Sequence, residues 1–310
     1  LFLVLLSFAA WGQAYPARAV KVVIPFPPGG APDLVGRTIA SRLSERLGQP
    51  FVVENRSGAG GNIAAEAVAK SPPDGHTLLA TSDGPLVINP NVYTSVPFDT
   101  LRDFAPISLT ASIGLVLMSC PSVHITNTKE LVASANSRTL TFASSGFGSS
   151  QHLAGEMLKA AAGVDLTHVP YKGFAPAVID AMACHVDLIF GAISTGLPHI
   201  RSGTLKAVAV TLARRHPALP ATPSFAEDGY PGVAIEAYFG MLAPAGTPRA
   251  IIERLHSEVV TILKEDDTAA RLSGAGLELV GSSPEEFAAR IRTDLEKFAN
   301  VAKSLGTKAQ

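Results

Sequence analysis

Short β-branched runs alternate with longer amphipathic stretches along most of the chain, a pattern that predicts strands separated by helices. Lys21–Pro25 (KVVIP) reads as a strand. Asp33–Leu47 follows as a helix, with Leu34, Val35, Ile39, Leu43 and Leu47 on one broad face and Gly48 as the stop. Phe51–Glu54 is the next strand and Asn62–Lys70 the next helix, closed by Ser71-Pro72-Pro73-Asp74-Gly75. Thr77–Thr81 is a third strand. Strand–helix–strand units of this spacing imply right-handed crossovers and a mainly parallel sheet.

The pattern then changes. Ala105–Cys120 is a long apolar stretch without a helix cap, interrupted at Ser112-Ile113-Gly114, and reads as one or two strands leaving the first domain. A second alternating series follows, with strands at Thr139–Ala143, Asp165–Val169, Val186–Phe190 and Leu205–Thr211. Helices at Ser149–Ala162, Ala175–Cys184 and Thr195–Ser202 lie between them. Ala213–Gly232, rich in Pro and Gly, is a surface connection, and Val233–Ala243 is again strand-like. From Thr247 the chain is helical: Thr247-Pro248 opens one helix, and Ser283-Pro284-Glu285-Glu286 opens another with Pro and acid in its first turn. The expected architecture is two α/β lobes. Residues 15–115 with 236–310 form the first and 116–235 the second, so that two chain crossings make a hinge and the cleft between lobes is the default ligand site.

Composition agrees with this division. At 310 residues the chain exceeds one ordinary core, and 47% hydrophobic with 16% charged residues excludes a disordered or coiled-coil chain. A net charge of −1 removes any case for nucleic acid or anionic lipid as partner. The apolar run Leu1–Trp11 is too short to span about 30 Å of hydrocarbon. Small residues at Gly12 and Ala14 suit signal-peptidase cleavage, so residues 1–14 are expected to be a signal peptide, truncated at its start, with Tyr15 opening the mature, exported protein. Export permits a disulfide between Cys120 and Cys184, but spacing alone cannot pair them, and two buried free thiols are the reading adopted.

Three loops carry candidate chemistry. Pro25-Phe26-Pro27-Pro28-Gly29-Gly30-Ala31-Pro32-Asp33 joins a strand's carboxyl end to a helix start, where glycines admit a ligand and free N–H groups favour an anion. The plainer alternative is a turn with Asp33 as helix cap. Ser144-Ser145-Gly146-Phe147-Gly148-Ser149-Ser150-Gln151-His152 repeats the arrangement in the second series, with His152 either a ligand donor or a satisfied structural residue. Val169-Pro170-Tyr171-Lys172-Gly173 offers a hydroxyl and a charge, or only a solvated lysine. Arg56-Ser57-Gly58-Ala59-Gly60-Gly61 invites a dinucleotide reading, which fails because the third glycine of G-x-G-x-x-G falls at Ile63. No G-x-S-x-G, H-E-x-x-H, Walker or S-x-x-K signature occurs, and the histidines lack metal spacing; no cofactor, metal or catalytic residue is expected.

Taken together these segments resemble the periplasmic solute receptors of tripartite tricarboxylate transporters, the Bug-type receptors. The resemblance lies in VKVVIPFPPGGAPD (20–33), LSERLGQPFVVENRSGAGGNIAAEAVAKSPPDGHTLL (43–79), DFAPISL (103–109), SSQHLAGEMLKAAAGVDLTHVPYKGFAPAVIDAM (149–182), VDLIFGAISTGLPHIRSGTLKAVAVT (186–211) and FGMLAPAGTP (239–248). It implies a type II periplasmic-binding-protein fold, two lobes that close on ligand, and hand-over to the membrane permease subunits of a tripartite transporter. It also implies a small carboxylate, amino acid or amide as ligand, held largely through backbone groups. The family's role carries over to Phe26, Pro27, Gly29 and Gly30, and to Ser144, Gly146, Gly148, Ser149 and Ser150. Tyr171, Lys172 and Gly173 should border the site; Ser82, Asp83 and Gly84, and Ala192 and Ser194, end strands that can reach the cleft. Phe174 departs from the family's usual small residue. Asp83 facing the ligand would disfavour a polyanion and favour an amino or amide group; Asp83 as a local cap would do neither. The expected protein is a monomeric receptor, with docking on a sensor protein as the alternative and an exported enzyme behind both.

Overall fold

The structure is a computed structural model and describes residues 15–305. The expected signal peptide, residues 1–14, lies outside the described residues. The elements run β1 (Val20–Ile24), α1 (Ala31–Leu47), β2 (Phe51–Asn55), α2 (Asn62–Ala69), β3 (Thr77–Ser82), a π-helical turn at Gly84–Ile88, α3 (Asn89–Val92) and α4 (Thr100–Asp103). They continue with β4 (Phe104–Ser119), α5 (Thr128–Ser137), β5 (Leu140–Ser144), α6 (Ser150–Ala162), β6 (Leu166–Pro170), α7 (Phe174–Met182), β7 (Leu188–Ala192), α8 (Ile193–Arg201) and β8 (Lys206–Val210). The last are β9 (Glu236–Pro244), α9 (Arg249–Leu263), α10 (Asp266–Gly274), β10 (Glu278–Leu279) and α11 (Pro284–Leu305).

The strands form one ten-stranded sheet in the order β2-β1-β3-β9-β4-β7-β5-β6, with β8 and β10 also pairing with β4. Parallel pairing of β1 with β2 and β3, and of β5 with β6 and β7, marks two βαβ halves, the first with buried Val, Ile and Leu on its strands and the second with buried Leu, Ile and Phe. The antiparallel pair β4–β9 joins them. The break expected at Ser112-Ile113-Gly114 does not end β4, which is one strand of 16 residues. What changes there is the partner: β4 pairs with β9 up to Gly114↔Glu236 and with β7 from Leu115↔Ala192. Gly114 is small because Leu212 fills its Cβ position, with Cγ 2.7 Å away.

The C-terminal helices return to the first half. Helices α9 and α11 pack on β4, α9 also on α1, and α11 on the π-turn and α3. The start of α11 is a reciprocal cap, Ser283 N–H donating to Glu286 Oε2 (2.8 Å) and Glu286 N–H to Ser283 Oγ (3.1 Å).

The free-thiol expectation is wrong. Cys120, after β4, and Cys184, after α7, form a disulfide with Cα atoms 5.4 Å apart across a separation of 64 residues. Only the fold of the second half brings these two ends together, which sequence spacing does not encode. Closing so long a loop limits the unfolded chain and contributes about 2–4 kcal/mol. Cys184→Ser should therefore lower the thermal midpoint, and reduced wild-type protein should match it. A midpoint unaffected by either change would show that the bond adds nothing to stability.

Candidate functional site

The segments that follow β2 and β3 meet the loop that follows β5 where the two halves face each other. The β1–α1 loop is braced from beneath. Asp33 is buried, and its carboxylate accepts from Gly29 N–H (3.2 Å), Arg37 Nη2 (2.7 Å) and Asn55 Nδ2 (2.8 Å). Burial works to raise its pKa, but these donors outweigh it and hold the carboxyl below the usual range. Asn55 Nδ2 also donates to the Phe26 carbonyl at 2.9 Å. Asp33 thus organises the loop, while Pro27 and Gly29 are exposed and Phe26 and Gly30 half-buried at its surface. No side chain caps α1, whose N-cap is Gly30.

The β2–α2 loop, set aside after the failed dinucleotide pattern, belongs to the junction. Asn89, fully buried, donates from Nδ2 to the Gly60 carbonyl (3.0 Å) and to Asn62 Oδ1 (2.7 Å). That fixes the amide, and its Oδ1 points at Gly148 of the second half. A Cβ on Gly60 would lie 2.7 Å from Tyr93 Oη and 3.4 Å from the Phe147 carbonyl, and one on Gly84 3.4 Å from the Gly148 carbonyl. The tip Phe147-Gly148 therefore seats directly against the first half.

Ser144 is buried at the root of that tip. Its Oγ is hydrogen-bonded to His168 Nε2 at 2.7 Å and accepts from Gly146 N–H at 3.1 Å. Ser149 caps α6, its Oγ accepting from His152 N–H at 3.2 Å and donating to the Gly146 carbonyl at 2.7 Å. Gly148 N–H donates to His152 Nδ1 (3.4 Å) and Ser149 N–H to the Gly146 carbonyl (3.2 Å). The N–H groups of Gly146, Gly148 and Ser149 are thus engaged within the loop. Ser150 and Gln151, in the first turn of α6, have no backbone N–H partner among the described residues.

Four expected site residues have partners within the protein. Asp83, only 1% exposed, accepts from Gly84 N–H at 3.0 Å and faces Tyr238, Arg290 and Asp294, so it is a local cap. Burial, then Asp294, pushes its carboxyl up to about 8, so it is held mostly protonated at neutral pH, turned away from any cationic ligand group. His152 is 2% exposed with its accepting nitrogen taken by Gly148, which places it behind the loop. Tyr171 donates its hydroxyl to Asp180 at 2.7 Å instead of offering it to a ligand. Ser194 packs where a Gly276 Cβ would sit, 2.9 Å from its own Cβ, beside the β4–β10 pair and with Ala192 just before it.

The remaining expected residues stay near the junction. Ser82 ends β3 beside Gly84. Lys172 is exposed and has no ion-pair partner among the described residues. Gly173 N–H donates to the Ser145 carbonyl at 3.1 Å, tying the β6–α7 loop to the tip. Asn62, Asn89, Tyr93 and His168 were missed, while Gly60 was set aside with the dinucleotide pattern and Phe147 stood in the candidate loop without a role. They form no motif, although Asn89, polar in an apolar run before Pro90, was a visible signal. Two shallow surface cavities lie elsewhere, one of about 100 Å³ beside Thr100 and Phe104 and one of about 370 Å³ beside Ser44 and Phe51.

Two helix N-termini, glycine-lined loops and carboxyls that are either paired or neutral suit an anion held by backbone N–H groups. Ser149 and His152 do not form a nucleophile–base pair: the hydroxyl donates to Gly146, and the imidazole accepts from Gly148. Two βαβ halves joined by antiparallel crossing strands, with such a junction between them, are the architecture of a periplasmic solute-binding protein. Residues 35–307 match the Tripartite tricarboxylate transporter family receptor, and the chain belongs to that family. The Bug-type protein BugT of Bordetella pertussis is 35% identical over 96% of this chain and 92% of its own. Among solved structures, R. palustris Rpa4515 with adipate is 37% identical with a TM-score of 0.89, covering 94% of this chain and 98% of that one. MatC from Rhodopseudomonas palustris with bound malate is 31% identical with a TM-score of 0.87, covering 93% and 100%. The family is one of transporter receptors. No helix among the described residues is long and apolar enough to cross a membrane.

Proposed function

We propose that this chain captures a small organic carboxylate between its two halves and delivers it to the membrane permease subunits of a tripartite transporter. The observation that carries the reading is the glycine-rich β5–α6 loop, Ser144–Ser150, seated against Gly60, Gly84 and Asn89 of the first half, with the glycine-flanked loop Phe26–Gly30 following the neighbouring strand β1. In this reading β4 and β9 flex as the hinge between residues 15–115 with 236–310 and residues 116–235. The first turns of α1 and α6 supply N–H groups to the carboxylate, and Lys172 adds a positive field at the rim. Adipate in Rpa4515 and malate in MatC support a dicarboxylate as the first class to test. The neutral state of Asp83 removes an objection to such a dianion.

Thermal unfolding against dicarboxylates, tricarboxylates, amino acids and amides tests this. A true ligand at about 100 times its Kd should stabilise the protein by about 2.7 kcal/mol, seen as a raised midpoint. A protein refolded free of carried-over ligand and unmoved by every carboxylate would refute the proposal.

A further inference from the structure

Four rings stack behind the β5–α6 loop. Phe142 of β5 lies 4.8 Å from His168 of β6, His168 lies 4.1 Å from His152 of α6, and His152 lies 4.5 Å from Phe147 at the loop tip. Phe147 then meets Tyr93 of the first half edge-on at 6.1 Å. The column thus runs from the second half's core to the opposite half. Each imidazole in it also holds loop backbone: His152 through Gly148 N–H, and His168 through Ser144 Oγ to Gly146 N–H.

We infer that His152 and His168 are positioning residues, which set the β5–α6 loop for anion capture and carry Phe147 against Tyr93. The inference rests on the receptor reading above. Holding Gly146 and Gly148 N–H groups inward leaves the first turn of α6 to face the ligand, in a loop already ordered before the ligand arrives. The role requires neutral rings, because a protonated His152 has no acceptor for Gly148. Burial, then His168 and Lys159, depresses His152 to about 3, and burial with Lys159 depresses His168 to about 4. The charged groups of α6 on this side are Lys159 and its partner Glu156, 3.2 Å apart, and from β6 His168 stacks on His152.

Two substitutions separate positioning from bulk packing. His152→Leu and His152→Asn both remove a ring from the stack, so both should lower the thermal midpoint similarly. Asparagine Oδ1 takes the place of Nδ1 and can accept from Gly148, whereas leucine cannot. Calorimetric titration with the carboxylate that stabilises the wild type should show about tenfold weaker binding for the leucine variant, with most of the loss recovered by asparagine. Equal affinity of the two variants, or wild-type affinity in the leucine variant, overturns the inference. Nitrogen-15 NMR of the imidazoles in the wild type gives a second readout that needs no ligand and no variant. His152 should carry its proton on Nε2 and stay neutral to about pH 5; a proton on Nδ1, or titration near its ordinary value, also overturns it. If the wild type binds no carboxylate, the receptor reading falls and the capture role with it, while the NMR result still decides the loop geometry.

Discussion

Gly148→Ala is expected to weaken ligand binding by about 100-fold, or about 2.7 kcal/mol, while the fold survives. Gly148 sits at φ +75°, and a Cβ there would collide with Asn89 Oδ1 and lie 3.1 Å from Tyr93 Cε2. Both neighbours belong to the first half, so under the proposal that the halves close on ligand the collision arises only in the closed form. Asn89 cannot swing away cheaply, because Nδ2 is held by Gly60 and Asn62. The left-handed backbone adds a cost of about 1–2 kcal/mol for alanine, but that cost falls on open and closed forms alike and shows up in stability alone. Calorimetric titration beside thermal unfolding separates the two effects. Adding Asn89→Ala to Gly148→Ala should recover part of the affinity by making room for the methyl group. Unchanged affinity in Gly148→Ala would mean that ligand capture does not bring the tip onto Asn89.

Asp83→Asn is expected to stabilise the protein near pH 8 by a few kcal/mol and to leave it unchanged near pH 4. The folded carboxyl is raised to about 8 from 3.8. Well below pH 3.8 the group is protonated whether the chain is folded or not and contributes no difference, and near pH 4 the difference is still small. As pH rises from 4 toward 8, the unfolded chain ionises while the folded one stays mostly protonated until pH nears its own pKa of about 8. The folded state then binds more protons, so stability falls with rising pH across that window. Asparagine is neutral throughout and keeps an acceptor for Gly84 N–H, which removes the slope. The rest of the cluster fits a neutral group: Arg290 is paired with Asp294 at 2.5 Å and lies 5.1 Å over the Tyr238 ring. Asp83 Oδ2 and Tyr238 Oη have no hydrogen-bond partner among the described groups. Denaturant unfolding of both proteins from pH 4 to 8 checks this, and parallel curves would show that Asp83 is ionised in the native protein.

Much of the fold was readable from local rules. Hydrophobic period and turn residues placed β1 to β3, β5 to β8 and their helices within about two residues, because each of these elements is specified by its own pattern. The loops at Pro25–Gly30 and Ser144–Ser150 were readable for the same reason, as glycines between a strand and a helix have few other uses. The direction of a side chain was not. Asp83 follows a strand that ends at the junction, yet it turns toward α11, about 210 residues later in the chain, and burial there changes its charge. His152 begins a helix facing the site, yet a histidine from the next strand stacks on it and a glycine claims its nitrogen.

The sequence by itself determined the two α/β series, the anion-suited loops at the ends of their strands, and membership of a receptor family. Those follow from short-range preferences and from motifs that keep their spacing. Only the tertiary structure decided the Cys120–Cys184 bond, the single β4 strand that changes partner at Gly114, the neutral state of Asp83 and the seating of Gly148 on Asn89. Each depends on groups far apart in the chain meeting in a buried place, where geometry and desolvation, not local pattern, set the energy.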